Sequence, residues 1–77
     1  MARAKKVDLS DPVAMRKARG ENQSDFWRRF GVTQSGGSRY ESGRDLPTPV
    51  AILMTLFELG LVTDDALEAA RKAGGVA

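Results

Sequence analysis

The amino-acid sequence predicts an all-α fold, a compact bundle of five short helices. Three observations point there. Apolar residues recur at helical rather than alternating spacing across the 77 residues, with no repeat and no low-complexity tract. Residues that start and stop helices divide the chain into five segments. A chain of this size buries only about 60 % of the surface it exposes when unfolded, which favours a small helical core over a large enzyme fold.

Each element has its own punctuation. Asp11 followed by Pro12 reads as an N-cap and first helical position, and Gly20 after "VAMRKAR" reads as a stop. Asn22 caps a second segment from Gln23 to Phe30, with Asp25 in the first turn, where a carboxylate favours the helix dipole. Gly31 ends it. Thr33 caps a third segment from Gln34 to Glu41 or Ser42, closed by Gly43. Only Gly31, Val32 and Thr33 separate helices 2 and 3, a tight turn that sets two helices at a steep angle. After the loop "RDLP", Thr48 is read as a cap and Pro49 as the opening of a fourth helix, "VAILMTLFEL", that runs to Gly60. Its nearly uniform apolarity predicts the helix at the centre of the bundle. Thr63 caps a fifth helix, "DDALEAARKA", with acids in its first turn and Arg71 and Lys72 in its last. The domain is expected over residues 11–73, between a basic flexible arm over 1–10 and a flexible tail over 74–77.

Composition narrows the chemistry. With no Cys and no His, disulfides, thiolate metal sites and the commonest general base are all missing, so neither cofactor nor metal is expected. No nucleophile, base and orienting group form a set, and an enzyme is not expected. No apolar run approaches the roughly 20 residues that cross a bilayer, and the basic start "MARAKKVDLSDP" lacks the apolar segment of a signal peptide. The reading is a cytoplasmic protein without membrane partners. Charge is divided unevenly: residues 1–44 carry ten Lys or Arg against five acids, whereas residues 45–77 carry two against five. A basic half suits a polyanion, because each cation that meets a phosphate releases condensed counterions.

The run "RKARGENQSDFWRRFGVTQSGGSRYESGRDLPTPVAILMTLFELG", Arg16 to Gly60, resembles the helix-turn-helix domains of the phage lambda and 434 repressor and Cro type, the Xre family. The marks are Arg16 before the Gly20 stop, Gln23 opening helix 2, Gly31 in the turn, "TQS" opening helix 3, "YESG" closing it, and an apolar helix after it. The resemblance implies a lambda-repressor-like fold and a sequence-specific transcriptional regulator, a repressor or autorepressor of bacterial or phage origin. Its third helix, 34–42, lies in the major groove while the second crosses the DNA backbone. It also implies roles for single residues. Gln34, Ser35, Arg39 and Ser38 fall at base-contacting positions, and Gln23, Thr33 and Arg44 at phosphate-contacting ones. Gln pairs bidentately with adenine and Arg with guanine, which suits two of them to the task. Arg16 and Glu41 match a pair that ties helices 1 and 3 together. A homodimer on a pseudo-palindromic operator in double-stranded DNA is expected, through Leu61, Val62, Ala66, Leu67 and Ala70. Alternatives are an antitoxin that binds a toxin protein and represses its own operon, and a protein-interaction module that has lost DNA readout.

Two glycines stand inside the third helix, Gly36 and Gly37. Where the family places an inward Val or Ile, this chain has Gly37, and where it places a small Ala on helix 2, this chain has Trp27. The expectation is that the indole fills the vacated volume; the alternative leaves Trp27 exposed for a partner. Gly36 is expected to face outward and let the backbone approach DNA. Two mid-helix glycines weaken the helix by roughly 1 kcal/mol each, so fraying without DNA is expected. Phe26, Phe30, Val32, Tyr40, Ile52, Leu53, Leu56 and Phe57 are read as core, and Arg28 and Arg29 as exposed charges of helix 2, with a place near the DNA as the alternative.

Overall fold

The computed structural model describes residues 7–75, which form five helices: α1 Pro12–Ala18, α2 Gln23–Arg28, α3 Gln34–Glu41, α4 Thr48–Glu58 and α5 Asp64–Gly74. The arm's basic residues before Val7 lie outside the described residues. Side-chain caps open four of the helices as local chemistry dictates. Asp11 accepts from the Ala14 N–H at 3.1 Å, Asn22 from Asp25 at 2.8 Å, Thr33 from Gly36 at 3.0 Å and Thr63 from Ala66 at 3.1 Å. The fourth cap lies one residue earlier than the sequence predicts. Pro47 holds the N-cap position of α4 with no side-chain hydrogen bond, and Thr48 is already helical.

Helix α2 is shorter than expected, ending at Arg28 rather than Phe30, because Gly31 turns the chain at once. Its φ of +76°, unstrained only for glycine, lets the Gly31 N–H donate to the Arg28 carbonyl and the Val32 N–H to the Trp27 carbonyl. Helix α3 runs through both glycines, the Gly37 N–H donating to the Thr33 carbonyl at 2.8 Å.

The centre of the bundle is α2, not α4. Phe26 and Trp27 are fully buried and Phe30 nearly so, and their rings meet edge to face. Phe57 of α4 closes on Phe30 with centroids 5.6 Å apart, and Tyr40 of α3 lies 5.5 Å from Trp27. Met54 and Leu67 complete the buried cluster. Along α4 only Met54 and Phe57 are buried; Leu53 and Leu56 are half-buried, and Ile52, expected in the core, is 57 % exposed. The apolar run is simply wider than the arc its neighbours cover. At the chain start Leu9 packs against the cluster, so ordered packing begins ahead of α1.

Candidate nucleic-acid interface

Helix α3 has two unlike faces, and the inner one begins with Gly37. A Cβ placed there would lie 2.3 Å from Trp27 Cδ1 and 2.4 Å from Cγ, closer than any real contact, so the indole occupies the space of a side chain. The complementarity expected from the sequence is therefore present, and Trp27, fully buried, is not exposed for a partner. Gly36 differs from its expectation. It is half-buried, and a Cβ there would press on Val32 Cγ1 at 3.1 Å and Thr33 Oγ1 at 3.3 Å rather than point at open space.

One turn on, Glu41 completes the inner face. Its side chain is 7 % exposed and takes four hydrogen bonds, two on each oxygen. Arg16 Nε donates to Oε2 at 2.8 Å and Nη2 to Oε1 at 3.0 Å; Trp27 Nε1 donates to Oε2 at 2.8 Å and Gln23 Nε2 to Oε1 at 3.1 Å. Arg16 also donates through Nη1 to the Glu21 carbonyl. The hydrogen bonds from Arg16 hold the Glu41 carboxyl below the usual carboxylate range, with Trp27 and Gln23 adding to the effect and burial opposing it. The Arg16–Glu41 pair is thus present and extended. The indole that replaces the missing side chain also supplies a donor to the ion pair.

Four outward residues of α3, Gln34, Ser35, Ser38 and Arg39, are exposed, and together with half-buried Gln23 they line one shallow concavity. That gathering follows from the helix itself, since positions three and four apart share a face. Because the Gln23 amide nitrogen faces Glu41, its orientation is fixed by the ion pair beneath it. Thr33 uses its oxygen to cap α3 and keeps its hydroxyl proton free to donate outward. Arg44 sits apart from this group, beside Gly43, in a depression shared with Leu9, Ser10 and Tyr40.

Two further residues, Arg29 and Leu67, depart from the sequence-based expectation. Arg29 is not an exposed charge: its side chain is 10 % exposed, its two Nη atoms donate to the Glu21 carboxylate at 2.6 Å each, and its Nε donates to Asp64 at 2.6 Å. The guanidinium also stacks over Phe57, 4.8 Å from the ring centre, and its hydrogen bonds to Glu21 push its pKa well above the ordinary value. Leu67, expected at a dimer interface, is 7 % exposed and belongs to the core, facing inward from α5. Of the other residues expected there, Leu61 is 68 % exposed, Ala66 and Ala70 are exposed and Val62 is half-buried. Trp27 as a hydrogen-bond donor and Arg29 as a clasp were both missed. Nothing local in the sequence marks either partner choice.

A family model described as the RsaL-like helix-turn-helix domain matches residues 13–57. Among solved structures, that of the quorum-sensing repressor RsaL of Pseudomonas aeruginosa matches with a TM-score of 0.71 and 46 % sequence identity, over 77 % of this chain and 87 % of that one. No curated protein matches the chain.

Proposed function

The chain belongs to the RsaL-like helix-turn-helix family, and from that premise we propose that it is a sequence-specific DNA-binding repressor of transcription that reads its operator with α3 in the major groove. One observation carries the reading: the exposed polar residues of α3 are gathered with Gln23 on one surface, while its inner face is pinned to α2 through Trp27 and to α1 through Arg16. A helix held on one side and unsatisfied on the other is built to present side chains to a ligand. Gln34, Ser35, Ser38 and Arg39 meet base edges; Gln23, Thr33 and Arg44 meet phosphates. The repressor role is carried over from RsaL, and the likeness to lambda-type repressors and Cro is part of the same reading. Of the double glycine, the feature that favoured a module without DNA readout, Gly37 is accounted for by Trp27.

The protein acts by binding in the cytoplasm rather than by catalysis, as a homodimer on a pseudo-palindromic site. Among the described residues no helix is long and apolar enough to cross a membrane. The dimer surface draws on Leu61 and Val62 between α4 and α5, with Ala66 and Ala70; exposed Leu61 is its apolar anchor. Fluorescence anisotropy on the DNA upstream of its own gene and on a scrambled duplex tests the function. The expected result is a Kd near or below ~10⁻⁸ M for the first, at least about a thousandfold tighter than for the second. Equal binding to both would contradict readout of that sequence.

A further inference from the structure

The arginines among the described residues divide by what they already hold. Arg16 is taken by Glu41, Arg29 by Glu21 and Asp64, and Arg71 by Glu68 and the Arg28 carbonyl. Arg19 pairs with Glu58 at 3.7 Å and stacks over Phe57. Arg39 and Arg44 make no ion pair among the described residues, and both belong to the interface already described. That leaves Arg28, at the last position of α2, which lines an acidic depression with Asp25, Asp64, Asp65 and Glu68 but among the described residues forms an ion pair only with Asp25, at 3.7 Å. Both side chains are largely exposed, at 68 % and 58 %, and an exposed pair of that length contributes little. Its guanidinium is therefore available to another anion at small cost.

Its position is equally specific. Arg28 lines a concavity with Ser24, Gly31, Val32, Thr33 and Gln34. Gln34 is shared with the base-reading concavity, so the two depressions flank the first residue of α3, one on the side of Ser35 and Arg39, the other on the side of α2. Ser24 and Arg28 stand four positions apart on one face of α2, and the free hydroxyl proton of Thr33 joins them from the turn. In a helix-turn-helix complex α2 is the element that crosses the sugar-phosphate backbone. A cation and two hydroxyls on that side, with no base-length polar side chain among them except Gln34, match a phosphate rather than a base edge.

We propose that Arg28, with the hydroxyls of Ser24 and Thr33, seats a DNA backbone phosphate beside the N-terminal end of α3, a contact separate from Gln23 and Arg44. This rests on the DNA-binding reading above. Asp25 is the counterweight: in the free protein it pairs weakly with Arg28, and in the complex it lies close to a phosphate that repels it.

Anisotropy titrations across a salt series, on the upstream duplex and on a scrambled one, test the seat. Arg28→Ala is expected to weaken binding to both duplexes by the same factor, roughly tenfold, the size of one charge-assisted hydrogen bond. It should also lower the slope of log K against log salt by about 1. Arg28→Lys should restore the slope while recovering only part of the affinity, and Asp25→Asn should tighten binding to both duplexes. Unchanged affinity and slope for Arg28→Ala, beside a wild-type protein that binds, would overturn the seat and leave the surface to a protein partner. Failure of the wild type to bind either duplex would instead overturn the reading on which the seat rests.

Discussion

Two ionic clusters fasten neighbours onto α2, and they are built in opposite senses. On one side a buried carboxylate, Glu41, is surrounded by donors from α1 and α2 beneath the reading helix. On the other a guanidinium, Arg29, is surrounded by carboxylates from the α1–α2 turn and the start of α5, over the ring of Phe57. Their difference lies in exposure. Glu41 is 7 % exposed and every oxygen lone pair in reach is used, whereas the partners of Arg29, Glu21 and Asp64, are 26 % and 59 % exposed and can be solvated if it is lost. Breaking the first cluster strands buried donors; breaking the second returns charges to water. The first governs the reading surface, the second the attachment of the last helix.

The largest effect therefore belongs to Glu41→Ala. It leaves the fully buried Trp27 N–H without its acceptor and Arg16 with only the Glu21 carbonyl, and the expected loss is about 3 kcal/mol, a fall in Tm on the order of 15 °C by circular dichroism. A Tm equal to wild type would remove the distinction between the clusters. Next is Gly37→Val, which drives a side chain into the indole and should cost about 2 to 3 kcal/mol. In a Trp27→Ala background the same change should cost much less, so a double-mutant cycle reads the coupling directly. Additive losses would show that the two residues do not share one space.

Arg29→Ala should cost less, about 1 to 2 kcal/mol by urea denaturation, because its former partners are solvated. A loss matching that of Glu41→Ala would erase the comparison. Acid sharpens it further. Both Glu41 and Glu21 have folded pKa values below the ordinary one, each chiefly through hydrogen bonds from an arginine. Their contribution is present above the ordinary glutamate value, about 4.3, and is lost as pH falls through the folded value. Melting temperature should thus decline below about pH 4.5, and Glu41→Gln should flatten that decline more than Glu21→Gln. Smallest of all is Gly36→Ala, where a gain in helix propensity of about 1 kcal/mol meets crowding against Val32, for a net change under about 1 kcal/mol in Tm-derived stability.

Much of this was legible from local chemistry. Asp11, Asn22, Thr33 and Thr63 announce helix starts because a cap needs only residues three positions on. Thr48 misled because a residue before proline usually avoids the helical region, yet here it is helical ahead of Pro49. The Trp27–Gly37 exchange could be seen only through the resemblance, which implies a small residue where Trp27 stands and an inward Val or Ile where Gly37 stands. What stayed hidden depends on distant partners. Arg29 meets Asp64 across 35 positions, and no periodicity in α2 points to it. Nor does the apolarity of α4 tell how wide an arc its neighbours cover, so Ile52 was placed inside and lies on the surface. On the reading surface, residue types pointed to chemistry while the shared concavity of Gln23 with Gln34 needed the fold.

The most direct test of the central claim, that α3 reads base sequence, is a base-by-base affinity scan of the operator with the wild type and with Arg39→Ala. The expected result is that Arg39→Ala melts like the wild type but loses about 1 to 3 kcal/mol of discrimination at one G·C pair, the other positions keeping theirs. A uniform loss across every variant duplex, or no loss at any, would contradict it.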